Sequence, residues 1–121
     1  MRGLFSLMIL GFCSIAIAND RYHAFQDEHL SQGRVIWLDS CEGCHGWGVA
    51  DAPIPMHPEE WKPRLEKPID TLYKHAINGF FGEDDSMMPA RGGNPKLSDF
   101  EVKSAVDYMA NLALFHIHKS Q

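Results

Sequence analysis

Hydrophobic positions in this 121-residue chain fall into one unbroken block followed by three spaced stripes. The block runs from Leu4 to Ile17, between Arg2 and a closing Ala16-Ile17-Ala18, and the chain turns polar at once with Asn19, Asp20 and Arg21. Over residues 28–40, Leu30, Trp37 and Leu38 recur at helical spacing, and Asp27 or Glu28 stands where a helix dipole favours negative charge. Five prolines then fall within sixteen residues, from Pro53 to Pro68, a density that predicts an ordered loop without any long regular element. Residues 70–78 read as a short helix, with Asp70 as N-cap, Leu72/Ala76 and Tyr73/Ile77 as i,i+4 pairs, and Gly79 as its stop. After the loop GEDDSMMPARGGNP, Ser98-x-x-Glu101 forms a capping box, and Leu97 can staple to Val102. Behind it Val102, Ala105, Val106, Met109, Leu112 and Ala113 continue the last and clearest stripe. No alternating run long enough for a sheet is present, and no internal repeat, so the expected architecture is all-α: three to five short helices joined by long loops.

The N-terminal block divides the chain. A positive start, an apolar run shorter than the roughly 20 residues that span a bilayer, and a small-x-small end predict a secretory signal peptide over residues 1–18, cleaved after Ala18. An uncleaved anchor is the alternative. Cys13 follows the bulky Phe12, where a lipoprotein site needs a small residue, so it reads as a plain hydrophobe. The remaining layout is a flexible polar segment over 19–27, one domain over 28–115 and a tail over 116–121. Export, with a periplasmic destination, places Cys41 and Cys44 in an oxidising compartment, where an idle close pair tends to oxidise. Something should be using them.

Net charge is -5, or -6 once Arg2 is removed, and no Lys/Arg-rich run occurs, which argues against nucleic-acid binding. Helices this short are marginal alone, and a large apolar cofactor would supply the missing core. The sequence Cys41-Glu42-Gly43-Cys44-His45 names one: C-x-x-C-H is the signature of covalent c-type haem attachment. Two thiols three positions apart reach the two vinyl groups of one porphyrin, and the adjacent imidazole becomes the proximal iron ligand. A thioredoxin-like pair would need parallel strands, which are missing. A zinc site would need two further ligands, and His116 with His118 are poorly spaced for it. A plain disulfide leaves His45 unexplained.

A saturated electron carrier needs a sixth ligand, and a thioether raises the reduction potential. Met88 is favoured because the following Pro89 biases it toward an extended backbone suited to presenting a side chain; Met87 is the alternative. His23, His29, His57, His75, His116 and His118 compete for the same position.

The segments GRVIWLDSCEGCHGWGVADAP, EEWKPRLEKPIDTLYKHAINGF and MMPARGGNPKLSDFEVKSAVDYM, in that order, cover roughly residues 33–114 and resemble the class I, single-haem, His/Met c-type cytochromes, within them the c5-like bacterial group. The resemblance implies a small class I cytochrome c fold around one haem c bound through Cys41 and Cys44, with His45 and Met88 as iron ligands. It implies that Gly33, Trp37 and Tyr108 mark a crossing of the first and last helices, and that the Pro53 carbonyl accepts the Nδ1–H of His45. It also places Trp61 and Arg64 near the haem propionates. Glu83, Asp84 and Asp85 depart from many relatives and suggest a redox partner with a basic docking patch. The function so implied is a periplasmic electron carrier and not an enzyme; the alternative is a haem-bearing relay subunit of a membrane oxidase or dehydrogenase complex.

Overall fold

The computed structural model describes residues 21–121; the expected leader, residues 1–18, lies outside them. Helix α1, Glu28–Ile36, opens on Asp27, whose carboxylate accepts the Leu30 N–H at 2.9 Å. The single helix expected over 28–40 does not persist. It widens into a π-turn, Trp37–Cys41, and tightens again into α2, Glu42–His45, so the C-x-x-C-H motif is carried on a helix interrupted just ahead of it. A 3₁₀ turn, Val49–Asp51, leads into the proline-rich stretch.

That stretch holds an eight-residue helix, α3, Pro58–Leu65, where only loop was expected. Pro58 is tolerated because it occupies the first helical turn, where its missing N–H has no partner to lose. Pro63 costs one interior bond, offset by burial of Trp61 and by the Arg64 guanidinium donating to the Glu60 carbonyl. Helix α4, Ile69–Asn78, is capped by Pro68 and not by Asp70, which lies in the first turn, where its charge still faces the positive end of the dipole. Gly79 ends it at φ 82°, as its position suggested.

A two-rung antiparallel ladder follows, β1, Phe80–Phe81, with β2, Met87–Met88, in register Phe80↔Met88 and Phe81↔Met87. After a 3₁₀ turn, Ala90–Gly93, helix α5 runs from Asp99 to Lys119 behind the full Ser98/Glu101 capping box. Leu97 and Val102 are buried in one cluster, as the staple requires. The helix thus absorbs most of the expected 116–121 tail, because Ile117 is buried.

Helices α1 and α5 cross at Gly33, where a Cβ would overlap the Ser104 carbonyl oxygen. Trp37 and Tyr108, both fully buried, pack beside the crossing. One apolar cluster gathers Tyr22, Trp37, Trp61, Tyr108 and Leu112; a second gathers Ala76, Leu97, Val102 and Val106 with Met88 against it. Residues 19–27, expected to be loose, are pinned over their described part. Tyr22 is 1% exposed, its hydroxyl donates to Glu42 Oε1 at 2.7 Å, and the His23 carbonyl accepts from Tyr108 at 2.9 Å. Among the described residues no helix is long and apolar enough to cross a membrane.

Candidate functional site

The four residues that the sequence reading assigns to the haem are set by different elements: Cys41 closes the π-turn, Cys44 and His45 end α2, and Met88 ends β2. All four line one apolar recess of about 50 Å³ walled by Val102, Val106 and their neighbours. The recess adjoins a cleft of about 700 Å³, lined by Cys44, His45, Pro53, Trp61, Arg64 and Met88. Cys44, His45, Pro53, Trp61, Arg64 and Met88 therefore converge on one space, of a size that takes a large organic group, with Cys41 in the recess beside it. Met87 lines only the outer cleft and is 52% exposed, whereas Met88 lines both spaces and packs against the buried second cluster. Of the competing histidines only His75 also lines the cleft, and it is stacked on Phe80 with ring centroids 4.0 Å apart. His29 is engaged with Asp107 at 2.7 Å, His57 with Glu60 at 2.9 Å, and His23 stacks on Phe115.

His45 is buried, and its Nδ1–H donates to the Pro53 carbonyl at 2.9 Å, which fixes the ring and leaves Nε2 as the nitrogen available to a metal. Burial pulls its pKa below the ordinary histidine range; the Pro53 bond opposes this and the nearby Arg64 charge adds to it. Neutral imidazole, the ligating form, is favoured. Cys41 and Cys44 are not bridged to each other, and before any group is bonded to them burial, followed by the charges of Asp39 and Cys44, pushes the Cys41 thiol up to about 11. Cys41 is thereby a poor thiolate, which disfavours a bridge to Cys44 at neutral pH.

A porphyrin fits these residues on an independent ground. The Trp61 indole nitrogen is buried and has no hydrogen-bond partner, although Trp61 lines the cleft. A buried donor left so is costly, and a carboxylate presented beside it, with Arg64 on the same wall, would satisfy it. The donor set is that of haem ligation: one imidazole, two thiols for the vinyls, one thioether. Hydrophobic walls from Leu72, Ala76, Val106 and Met109 complete the match.

Three contributions escaped the sequence reading. Tyr22 and Arg21 grip the haem-attachment turn from outside: Arg21 donates to the Gly46 carbonyl at 2.7 Å and lies 3.7 Å from the Trp47 ring centroid. Asp107 of α5 accepts from the Tyr73 hydroxyl of α4 at 2.5 Å and meets His29 of α1, tying three helices at one carboxylate. Arg91 anchors the loop behind Met88. Only the Gly-Gly pair at 92–93 left a signal in the sequence, as residues suited to positive φ.

Comparison with known proteins gives matches along most of the chain. The family model described as cytochrome C oxidase, cbb3-type, subunit III matches residues 28–109. The chain is 35% identical over 88 residues to cytochrome c-555 of Prosthecochloris aestuarii, covering 70% of this chain and 89% of that one. It is 31% identical over 74 residues to cytochrome c5 of Azotobacter vinelandii, covering 60% and 83%. Among solved structures, a chain of the crystal structure of an electron transfer complex of nitrite reductase with cytochrome c superposes with a TM-score of 0.60 at 32% identity, covering 68% of this chain and 94% of that one.

Proposed function

This chain belongs to the class I monohaem c-type cytochromes, related to the c5-like group, with haem c held covalently at Cys41 and Cys44, and from that premise we propose that it is a periplasmic one-electron carrier and not an enzyme. Haem c supplies a ferric/ferrous couple. In this reading His45 Nε2 and Met88 are the axial ligands, so no iron position is left open for a substrate. The observation that carries the reading is the meeting of Met88 with Cys41, Cys44 and His45 in one apolar recess, while Met87 stays outside it. Pro53 holds the proximal imidazole, Trp61 and Arg64 offer donors to the haem carboxylates, and the apolar walls exclude water.

Electrons leave at the cleft mouth, where Phe80 and Met87 line the cleft with Glu83 and Asp84, and where Phe81, 78% exposed, pairs with Met87. Apolar contact ringed by negative charge suits a redox protein with a basic docking patch. The structural neighbour's complex with nitrite reductase supports a redox enzyme as the kind of partner. Periplasmic location is supported by the apolar, small-x-small start of the sequence. The match to a model described as an oxidase subunit favours one second reading, a haem-bearing relay within a membrane complex; co-purification with membranes separates the two.

The test is spectroscopic. Protein matured in an export-competent host should show a weak far-red sulfur-to-iron band when ferric, and the ferrous form should not bind carbon monoxide. A missing band together with ready carbon monoxide binding refutes His/Met ligation and favours a haem enzyme or gas sensor.

A further inference from the structure

We infer that Arg91 is a positioning residue for the sixth ligand, latching the loop that carries Met88 to the rest of the fold; this rests on the proposed Met88 ligation. The loop leaves Met88 through Pro89 and turns sharply at Arg91, Gly92 and Gly93, with φ of 57°, 63° and 82°. Two of these are glycines, for which the left-handed region is open, but an arginine there is disfavoured and must be held. The holding contacts are present. Arg91 Nη1 donates to the Leu97 carbonyl at 2.9 Å, and Nη2 donates to Asp99 Oδ1 at 2.6 Å. Leu97 is buried and Asp99 is the first residue of α5, so the guanidinium ties the loop to the helix whose Val102 and Val106 pack in the cluster beneath Met88.

A second contact works from the other side. A Cβ on Gly92 would come within 2.7 Å of the Ser40 carbonyl oxygen, and Asn94 Nδ2 lies 3.4 Å from Ser40 Oγ. Ser40 immediately precedes Cys41, so the same loop is seated against the turn that leads into the haem attachment site. Tied both to α5 and to the turn ahead of Cys41, the segment that follows Met88 holds it over the recess without relying on the iron bond alone. The two bonds of Arg91 are not equal. Asp99 is 62% exposed, and a pair screened in that way contributes little, whereas the bond to the carbonyl of buried Leu97 is shielded.

The experiment is imidazole binding to the ferric holoprotein, read beside the far-red sulfur-to-iron band. Arg91→Gln, too short to reach either acceptor, should tighten imidazole binding by about tenfold and weaken the band, with helix content unchanged. Arg91→Lys keeps the charge but only one bond and should fall between, by about threefold; it carries the test if Arg91→Gln fails to mature. Asp99→Asn should stay within about twofold of wild type. A band and an imidazole affinity unchanged in Arg91→Gln overturn the latch alone, as does an Asp99→Asn effect equal to that of Arg91→Gln. A wild-type protein without the band overturns Met88 ligation and the latch with it.

Discussion

Gly33→Ala is the sharpest test of how α1 and α5 fit together. In an open helix alanine would be the better residue by up to about 1 kcal/mol, because glycine loses more backbone freedom on folding. Here the new methyl would overlap the Ser104 carbonyl oxygen and come within 3.1 Å of the Tyr108 Cβ. Neither neighbour can swing aside, because one is helix backbone and the other belongs to a fully buried side chain. The helices must separate, loosening the contact of Trp37 with Tyr108, and overpacking of this kind costs about 1–3 kcal/mol. Overlap with backbone belongs at the upper end of that range, so it outweighs the propensity gain and leaves a loss of about 2 kcal/mol. For a domain of this size that is a drop in Tm of about 10 °C. Gly43→Ala is the control, since a Cβ at Gly43 in α2 meets nothing within 4 Å and should leave Tm unchanged or slightly raised. Thermal unfolding of the ferric holoproteins, followed by far-ultraviolet circular dichroism, measures both. A Gly33→Ala protein as stable as wild type, or a Gly43→Ala protein as weak as Gly33→Ala, would refute the packing argument.

Two further outcomes are expected. Burial alone would raise the pKa of Glu60, but the Ile54 N–H, His57 and Arg64 together pull it below the usual range; its contribution is therefore present at neutral pH and lost as pH falls through the depressed value. The stability gap between wild type and Glu60→Gln, measured by urea titration, should be open at pH 7 and close on acidification through and below the ordinary carboxylate range; a gap that widens there contradicts the assignment. Neutralising Glu83, Asp84 and Asp85 together should slow electron transfer to a basic partner by about tenfold at low salt and flatten its salt dependence, and a wild-type rate that rises with added salt contradicts the docking face.

Local chemistry was legible in the sequence wherever it depends on near neighbours. C-x-x-C-H, the Ser98 capping box, the Leu97 staple and the stop at Gly79 each work within a few residues, and each stands where the pattern put it. Resemblance added the Gly33 crossing and the Pro53 carbonyl, which no periodicity discloses. What stayed hidden depends on distant partners. Tyr22 looked like part of a polar overhang because its hydroxyl meets Glu42, 20 positions on, and Asp107 revealed nothing until α1 and α4 closed over it. The α3 helix was hidden for another reason: proline density reads as a helix breaker, while Pro58 at a first turn costs no hydrogen bond. The π-turn was masked because its residues keep the apolar spacing of an ordinary helix.

The clasp of Arg21 and Tyr22 over Glu42, Gly46 and Trp47 bears on how this protein can be handled. An affinity handle or fusion partner spliced directly ahead of Arg21 would begin against the very turn that enzymes of cofactor attachment must reach. One appended beyond Gln121 would instead extend from the exposed end of α5.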